Sequence, residues 1–427
     1  MKKVLIVTYY WPPAGGPGVQ RWLKFVKYLR FYNIEPVVYI PENPSYPIID
    51  PSLKEEVPKG IKILSQKIFE PYTIANIFSK KDAETISSGI IQKEENQSKI
   101  QKAMLYIRGN YFIPDARKFW VKPSVKFLSD EIQNKDYHVI ITTGPPHSLH
   151  LIGLELKKKL DVKWIADFRD PWTQIGYHEK LKLKDSSRKK HEQLESQVLN
   201  SADHIITTSF TTKNEFVAKT SKPVSVITNG FDEEVNSADL KRDKFRISHI
   251  GSLLSGRNPE ILWQAIKDLV EEDENFRSEL QICLAGKLSE EVLQSIKAAG
   301  LQPYLKNEGY VSHTKAVEMQ RESAILLLIE IDSKETQGII PGKIFEYLSA
   351  NRPIIAIGPE NWDAEKIILD TNAGKVFLYS DAEKIKSEIR SLFQKYTERK
   401  KLNESRNIEK YHRKELTGKL AKLIEQV

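Results

Sequence analysis

Among 427 residues there is one cysteine, Cys283. A single thiol forms no intramolecular disulfide and no cysteine-rich zinc site, so a reducing compartment is expected. Long apolar runs are also missing, and no window approaches the roughly 18 residues that a membrane-crossing helix needs. Lys2 and Lys3 precede only the short run "VLIV", with Pro12 soon after, so no secretory leader is expected. The chain has no low-complexity tract and no short-period repeat. It has no zinc-finger spacing and no RNA-binding aromatic motif, and its basic residues are dispersed, which weighs against a nucleic-acid binder.

What is present suits packed domains. Hydrophobic residues make up 40% of the chain and charged residues 29%, with both signs mixed. The length suits two or three domains. The net charge of +8 is modest and fits anionic partners in general.

Strand-like and helix-like segments alternate. "KVLIVTYY" leads through "VQRWLKFVKYLRFY" to "EPVVYI", and in the middle piece Trp22, Phe25, Val26 and Leu29 recur at helical spacing. This is the strand–helix–strand pattern of a parallel sheet. A polar and aromatic stretch at about 65–125 reads as a helical insertion. The alternation then resumes with "HVIITTG", "VKWIADF", a polar helix over 186–200, and "HIITTS". Residues 232–244, poor in apolar side chains, form a candidate linker. Beyond it come "FRISHIGS", "LQICLAG", "AILLLIE" and "PIIAIG", again separated by helical segments. Near the end Leu416, Leu420, Leu423 and Ile424 share one helix face that needs a partner to bury it. The fold class is therefore α/β: two tandem Rossmann-like, doubly wound parallel-sheet domains, at 1–235 and 245–400, with an interdomain cleft. In open sheets of this kind ligands bind beyond the carboxyl ends of the strands.

Four stretches carry candidate chemistry. In "PPAGGPG", Gly15, Gly16 and Gly18 lie between the first strand and a helix start, where a bare backbone and free amides suit an anion; a tight turn explains them as well. In "QGIIPGKIFEYL", Pro341 suits a first helical position, and the amides of Ile339, Ile340 and Gly342 are placed to face an anion. Lys343 then sits in a first turn, which the helix dipole disfavours, and a phosphate would explain it. Glu346, one turn on, could accept hydrogen bonds from a ribose; an ordinary capped helix with an ion pair is the alternative. "HIGSLLSGRNPEIL" places Arg257 just before a helix, suited to a bidentate phosphate contact or simply exposed. "WIADFRDPW" clusters Asp167, Arg169 and Asp170 at a strand end, and His147 in "TTGPPHSLH" holds the same kind of position. An internal ion-pair network and a helix-capping histidine are the competing explanations there.

Together these pieces resemble the retaining glycosyltransferases of family four, the "group 1" nucleotide-sugar transferases of GT-B fold. The carriers are "YYWPPAGGPGVQR", "ITNGFD", "HIGSLLSGRNPEIL", "NEGYVSH" and "PGKIFEYLSANRPIIA", in order along nearly the whole chain. The resemblance implies a nucleoside-diphosphate sugar bound mostly by the second domain, and a final segment, 401–427, that packs back toward the first. It places Gly15 and Gly16 near the donor phosphate and acceptor, and Arg257 and Lys343 on the leaving diphosphate. Glu346 would hold the ribose, and the backbone of Val311 would meet the base. Two departures stand out. The usual pair of glutamates eight residues apart is broken, with Gly338 before Glu346 and Glu335 out of register. Where many members carry a histidine after the fifth strand, this chain has Arg169 followed by Asp170.

The expected function is thus retaining, metal-independent glycosyl transfer to a hydroxyl acceptor, with Asp170, Arg169 and His147 as catalytic candidates. No cofactor is expected beyond the sugar nucleotide as substrate. The acceptor would be a saccharide or lipid-linked saccharide in bacterial surface polysaccharide or lipopolysaccharide assembly. No carboxylate pair stands in a register suited to a glycosidase. The alternatives are a nucleotide-sugar epimerase of the same fold, an inactive sugar-nucleotide-binding member, or a basic nucleic-acid binder. The expected location is cytoplasmic. "HEKLKLKDSSRKKHEQ", with six basic and three acidic residues, together with Trp172, Tyr177 and "NYFIPDARKFW", suggests docking on an anionic inner-membrane surface.

Overall fold

The structure is a computed structural model that describes residues 1–70, 99–174, 181–235 and 243–427. It divides into two compact units: residues 1–229 with 413–427, and residues 230–412. Each unit is a parallel sheet flanked by helices.

In the first unit the strands are β1 (Lys2–Val7), β2 (Ile34–Pro41), β3 (Lys62–Gln66), β4 (Val139–Gly144), β5 (Trp164–Phe168), β6 (His204–Thr207) and β7 (Val224–Val226). Their order is β3-β2-β1-β4-β5-β6-β7, every pairing parallel. The helices are α1 (Pro17–Leu29), α2 (Lys99–Tyr111), α3 (Lys118–Gln133), α4 (Ser148–Leu160), α5 (Asp185–Ser201) and α6 (Phe210–Val217). Because side chains alternate along a strand, Val4 and Ile6 of β1 face α1, while Leu5 and Val7 face α3 and α4 on the other side.

The second unit has β8 (Phe245–Ile250), β9 (Leu280–Ala285), β10 (Leu305–Gly309), β11 (Ile325–Ile329), β12 (Ile354–Ile357) and β13 (Gly374–Phe377). Their order is β10-β9-β8-β11-β12-β13, again all parallel. Its helices are α7 (Glu260–Glu272), α8 (Glu274–Glu279), α9 (Glu290–Ala298), α10 (His313–Glu322), α11 (Lys343–Ala350), α12 (Asp363–Thr371) and α13 (Ala382–Thr397). The last helix, α14 (Arg413–Gln426), belongs to the first unit. It buries Leu416, Leu420, Leu423 and Ile424 with Trp22, Leu23 and Val26 of α1.

Several boundaries differ from the sequence-based expectation. The units part between Asn229 and Gly230, ahead of the stretch 232–244, of which 236–242 lies outside the described residues. Residues 401–412 stay with the second unit, so only α14 returns to the first. Residues 71–98 of the proposed insertion lie outside the described residues, and its expected end near 125 falls inside α3. That helix is the crossover feeding β4: the Trp120 ring stacks on Tyr39 of β2 at 4.9 Å, and the Tyr39 hydroxyl donates to Ser124 Oγ at 2.9 Å. The helix runs on through Pro123 to Gln133, so the expected end near 125 is not a boundary.

The first unit is locked by one buried charge cluster. Asp167, at the end of β5, is wholly buried and accepts from Arg21 Nη2 at 2.8 Å, Trp22 Nε1 at 2.8 Å and Thr143 Oγ1 at 2.8 Å. Arg21 Nη1 donates onward to the Thr228 carbonyl at 2.9 Å. One carboxylate thus ties α1, β4, β5 and the segment after β7 together. Burial pushes the Asp167 pKa up, but the Arg21 charge and these hydrogen bonds outweigh it, and the net shift is downward. The stability this contributes is present above the ordinary aspartate pKa and is lost as pH falls through the depressed one. Removing the carboxylate would leave a buried guanidinium and an indole N–H without their acceptor. Asp167→Ala should cost about 3–5 kcal/mol in urea unfolding; a cost below about 1 kcal/mol would show that the cluster does not hold the unit.

Candidate functional site

Each sheet reverses its direction of growth at one strand. β1 lies between β2 and β4, and β8 lies between β9 and β11. Loops leaving the carboxyl ends of such neighbours diverge, and the crevice they open is where ligands bind in this architecture.

In the first unit the corner after β1 is held by the segment 48–50: Gly15 N donates to the Ile48 carbonyl at 2.9 Å, and Asp50 N to the Pro13 carbonyl at 2.8 Å. Gly16 caps α1 with φ of 93°, in the region that favours glycine. A Cβ on Gly18 would collide with the Arg169 guanidinium, so glycine there lets the arginine lie against the first turn of α1. Arg169 is fixed from its other side. Its backbone N–H donates to the Gly144 carbonyl at 2.9 Å and its Nη2 donates to the Pro145 carbonyl. The Tyr10 ring centroid lies 5.7 Å from its Cζ. Asp170 beside it is exposed. The structure therefore joins Gly15, Gly16 and Gly18 to Arg169 and Asp170 on one sheet edge, while Asp167 of the same motif belongs to the internal ion pair.

His147 follows β4 on that edge but is only 4% exposed. Its ring stacks on Trp172 at 5.0 Å and 5°, with Phe168 and His150 alongside. Trp172 is itself fully buried and donates from Nε1 to His191 Nδ1 at 3.1 Å. The tryptophan expected at a membrane surface is thus a core residue, and Tyr177 lies outside the described residues.

In the second unit the loop after β8 and the end of β11 meet. Arg257 donates from Nε at 2.9 Å and from Nη2 at 2.8 Å to the same oxygen of Glu330, the residue that follows β11. The Glu330 side chain is 1% exposed and that of Arg257 is 33% exposed, so a buried carboxylate holds a guanidinium whose surface remains available. Lys343, the first residue of α11, reaches to β8, where its Nζ lies 3.1 Å from His249 Nε2. Gly251, at φ of 130°, passes directly beneath it, and a Cβ there would come 2.6 Å from Nζ. Glu346, one turn further along α11, accepts from Gln320 Nε2 at 2.9 Å. Val311 lies just beyond β10, partly buried, next to the 97% exposed Tyr310.

One expectation changes here. The Ile339 amide donates to the Thr336 carbonyl at 2.9 Å, because a short 3-10 turn precedes it, and so it does not face an anion. Ile340 and Gly342 flank Pro341 at the mouth of α11.

Two cations and two carboxylates meet on this edge and shift the titration of its central lysine. Burial, and next the Arg257 charge, pull the Lys343 pKa down to about 8, against the pull of Glu330 and Glu346. Burial and the lysine charge also push His249 down to about 3, so its ring is neutral at pH 7. Three holders, His249, Glu330 and Gln320, were not singled out from the sequence. Glu330 was the most accessible of them: a charged residue directly after the apolar run of a buried parallel strand falls on the ligand-facing edge. The other two sit inside an ordinary strand and an ordinary helix and carry no such mark. Among the described residues, no group of three or more His, Cys, Asp or Glu side chains is placed to hold a metal ion.

Residues 91–235 match the family model described as Glycosyltransferase Family 4. No curated protein matches the chain. Many solved structures are similar in fold. The sucrose-phosphate synthase of Thermosynechococcus elongatus is 12% identical with a TM-score of 0.58, covering 100% of this chain and 99% of its own. Anabaena HepE, solved in complex with UDP-glucose, is 13% identical with a TM-score of 0.58 and covers 100% of both chains. The lipopolysaccharide outer core galactosyltransferase WaaB is 13% identical with a TM-score of 0.57, covering 100% of this chain and 99% of its own. At such identities the likeness is one of fold: two parallel-sheet α/β domains of the GT-B type.

The depressed lysine pKa has a consequence for stability. Between about pH 8 and the ordinary lysine value the unfolded chain binds a proton that the folded chain does not. The charged lysine therefore costs stability below pH 8, and that cost fades as pH rises. Lys343→Met should raise the thermal midpoint at pH 7 by about 2–4 °C, with the gain shrinking toward pH 10. A lowered midpoint at neutral pH would show that Lys343 is a stabilising residue.

Proposed function

We propose that this chain is a glycosyltransferase that moves a sugar from a nucleoside-diphosphate donor to a hydroxyl acceptor with retention of configuration, the donor being held by the second unit. The observation that carries this reading is the convergence of Arg257 and Lys343 on the β8/β11 edge, with Gly251 leaving room beneath the ammonium. An ammonium weakened by burial, and next by the Arg257 charge, is an arrangement that a bound diphosphate relieves. The match of residues 91–235 to a glycosyltransferase family supports the same reading.

The demanding step in such a transfer is the departure of the diphosphate, which gains negative charge as the sugar becomes oxocarbenium-like. Arg257, Lys343 and the first amides of α11 would neutralise that charge without a divalent metal. Glu346, oriented by Gln320, would accept the ribose hydroxyls, and the Val311 backbone would meet the base. Gly15 and Gly16 would offer a bare backbone to an anionic group, while Arg169 and Asp170 serve the acceptor. His147, set in its aromatic stack, would support that edge from behind. A thermal-shift panel of sugar nucleotides identifies the donor, since a ligand of the folded state alone raises apparent stability. Arg257→Ala and Lys343→Ala should each lower turnover on the order of 10²-fold or more in a protein that still folds. Unchanged turnover in either variant would contradict the mechanism. Incubating donor without acceptor separates transfer from epimerisation, because only an epimerase yields a new sugar nucleotide.

The acceptor we favour is a saccharide or lipid-linked saccharide of a bacterial surface polymer, met from the cytoplasmic side of the membrane. In support, Asn110 at the end of α2 accepts from Lys184 N at 2.8 Å and donates to the Lys182 carbonyl at 3.2 Å, tying the aromatic and basic stretches together. Exposed Tyr111 and Phe119 thus share a unit with exposed Lys182, Lys184, Arg188, Lys189 and Lys190. No helix among the described residues is long and apolar enough to cross a membrane. The protein should sediment with phosphatidylglycerol-containing vesicles, less so at high salt, and not with phosphatidylcholine alone. Equal sedimentation with both vesicle types would rule out the anionic surface.

A further inference from the structure

His249 is a buried titratable group to which the donor reading gives no role. Its side chain is fully buried in β8, with Nδ1 3.0 Å from the Leu327 carbonyl and Nε2 3.1 Å from Lys343 Nζ. A carbonyl oxygen can only accept, so Nδ1 carries the ring proton; Nε2 then presents its lone pair to the ammonium. We propose that His249 is a positioning residue that holds the Lys343 ammonium at the diphosphate seat as a neutral acceptor, an inference that rests on the donor-site reading above.

The chemistry of the holder matters. Arg257 is held by a carboxylate, so its charge is partly spent before any ligand arrives. An imidazole lone pair engages one of three ammonium N–H groups and leaves the full positive charge, with two donors, for phosphate oxygens. It also orders a side chain that a ligand would otherwise have to immobilise on binding. A protonated histidine would repel the lysine; burial and the neighbouring cation keep it neutral, outweighing the backbone hydrogen bonds to Leu327 and Ser252 that pull the other way. The other groups that act on Lys343 are Arg257 from the turn after β8, Glu330 at the end of β11 and Glu346 on α11. Arg257 disfavours the ammonium and the two carboxylates favour it, so His249 adds support without adding charge.

The test uses the full chain and inorganic pyrophosphate, titrated calorimetrically across neutral to alkaline pH. His249→Leu removes the acceptor and should weaken binding at neutral pH about tenfold, the equivalent of one hydrogen bond to a charged group. The pH at which binding fades should also move down, and the Lys343 side-chain NMR titration, assigned with Lys343→Arg, should move with it. His249→Gln offers an amide oxygen in a similar place and should restore most of the affinity and the midpoint. If His249→Leu does not fold, His249→Ala with added imidazole replaces it, and imidazole should restore pyrophosphate affinity. Unchanged affinity and midpoint in a folded His249→Leu would overturn the positioning role while leaving the donor site standing. A wild-type protein that binds neither pyrophosphate nor any nucleoside diphosphate would remove the donor site, and this role with it.

Discussion

A parallel sheet that grows in both directions from one strand must send its next two connections to opposite faces, and the backbone parts where they diverge. This constraint acts twice here, at β1 and at β8, and nearly every residue of chemical interest follows from it. The glycine-rich corner leaves β1, and the Gly251–Arg257 loop leaves β8, with Glu330 arriving from the strand across the gap. Charged side chains gather at these edges because the strand interiors, buried on both faces, have no room for them.

Holding charge at such an edge requires partners placed behind it. In the first unit Asp167 serves the fold itself, binding Arg21 and Trp22 so that α1 cannot drift and the corner before it stays in place. Arg169, two residues on, is turned outward and steadied by carbonyl groups, with Gly18 giving it space. In the second unit each charged candidate has its own holder: Glu330 for Arg257, His249 for Lys343 and Gln320 for Glu346. Such support fixes the outer group before a ligand arrives, so less freedom is lost on binding. It also explains why Lys343 tolerates both a helix start and a neighbouring cation. Burial, and next the Arg257 charge, still hold its pKa below the ordinary lysine value.

The repeating strand–helix pattern, the two sheets and the buried face of α14 were legible in the sequence, because hydrophobic period reports directly on burial. So were the loops after β1, β5 and β8, where glycine and charge interrupt that period. Three things were hidden. The end of the insertion was expected near 125, inside α3, although Trp120 and Ser124 dock that helix onto β2 of the first sheet. Trp172 looks like a surface aromatic beside basic residues, yet it packs on His147 in the core, because nothing in a local window reveals a partner 25 residues away. The Ile339 amide is consumed by the Thr336 carbonyl at the end of a 3-10 turn, a contact that the residues around Pro341 do not announce. The holders His249 and Gln320 escaped for a related reason: a residue that acts through another is marked only by the contact between them.

The central claim is that Arg257 and Lys343 form the seat of a diphosphate on the second unit. A crystal structure grown with UDP, ADP, GDP or dTDP tests it most directly. The account predicts phosphate oxygens within about 2.7–3.2 Å of Lys343 Nζ and of the Arg257 guanidinium, with Glu330 and His249 unmoved behind them. A nucleoside diphosphate bound in good density elsewhere on the chain, with Lys343 still resting on His249 and no phosphate near it, would contradict it.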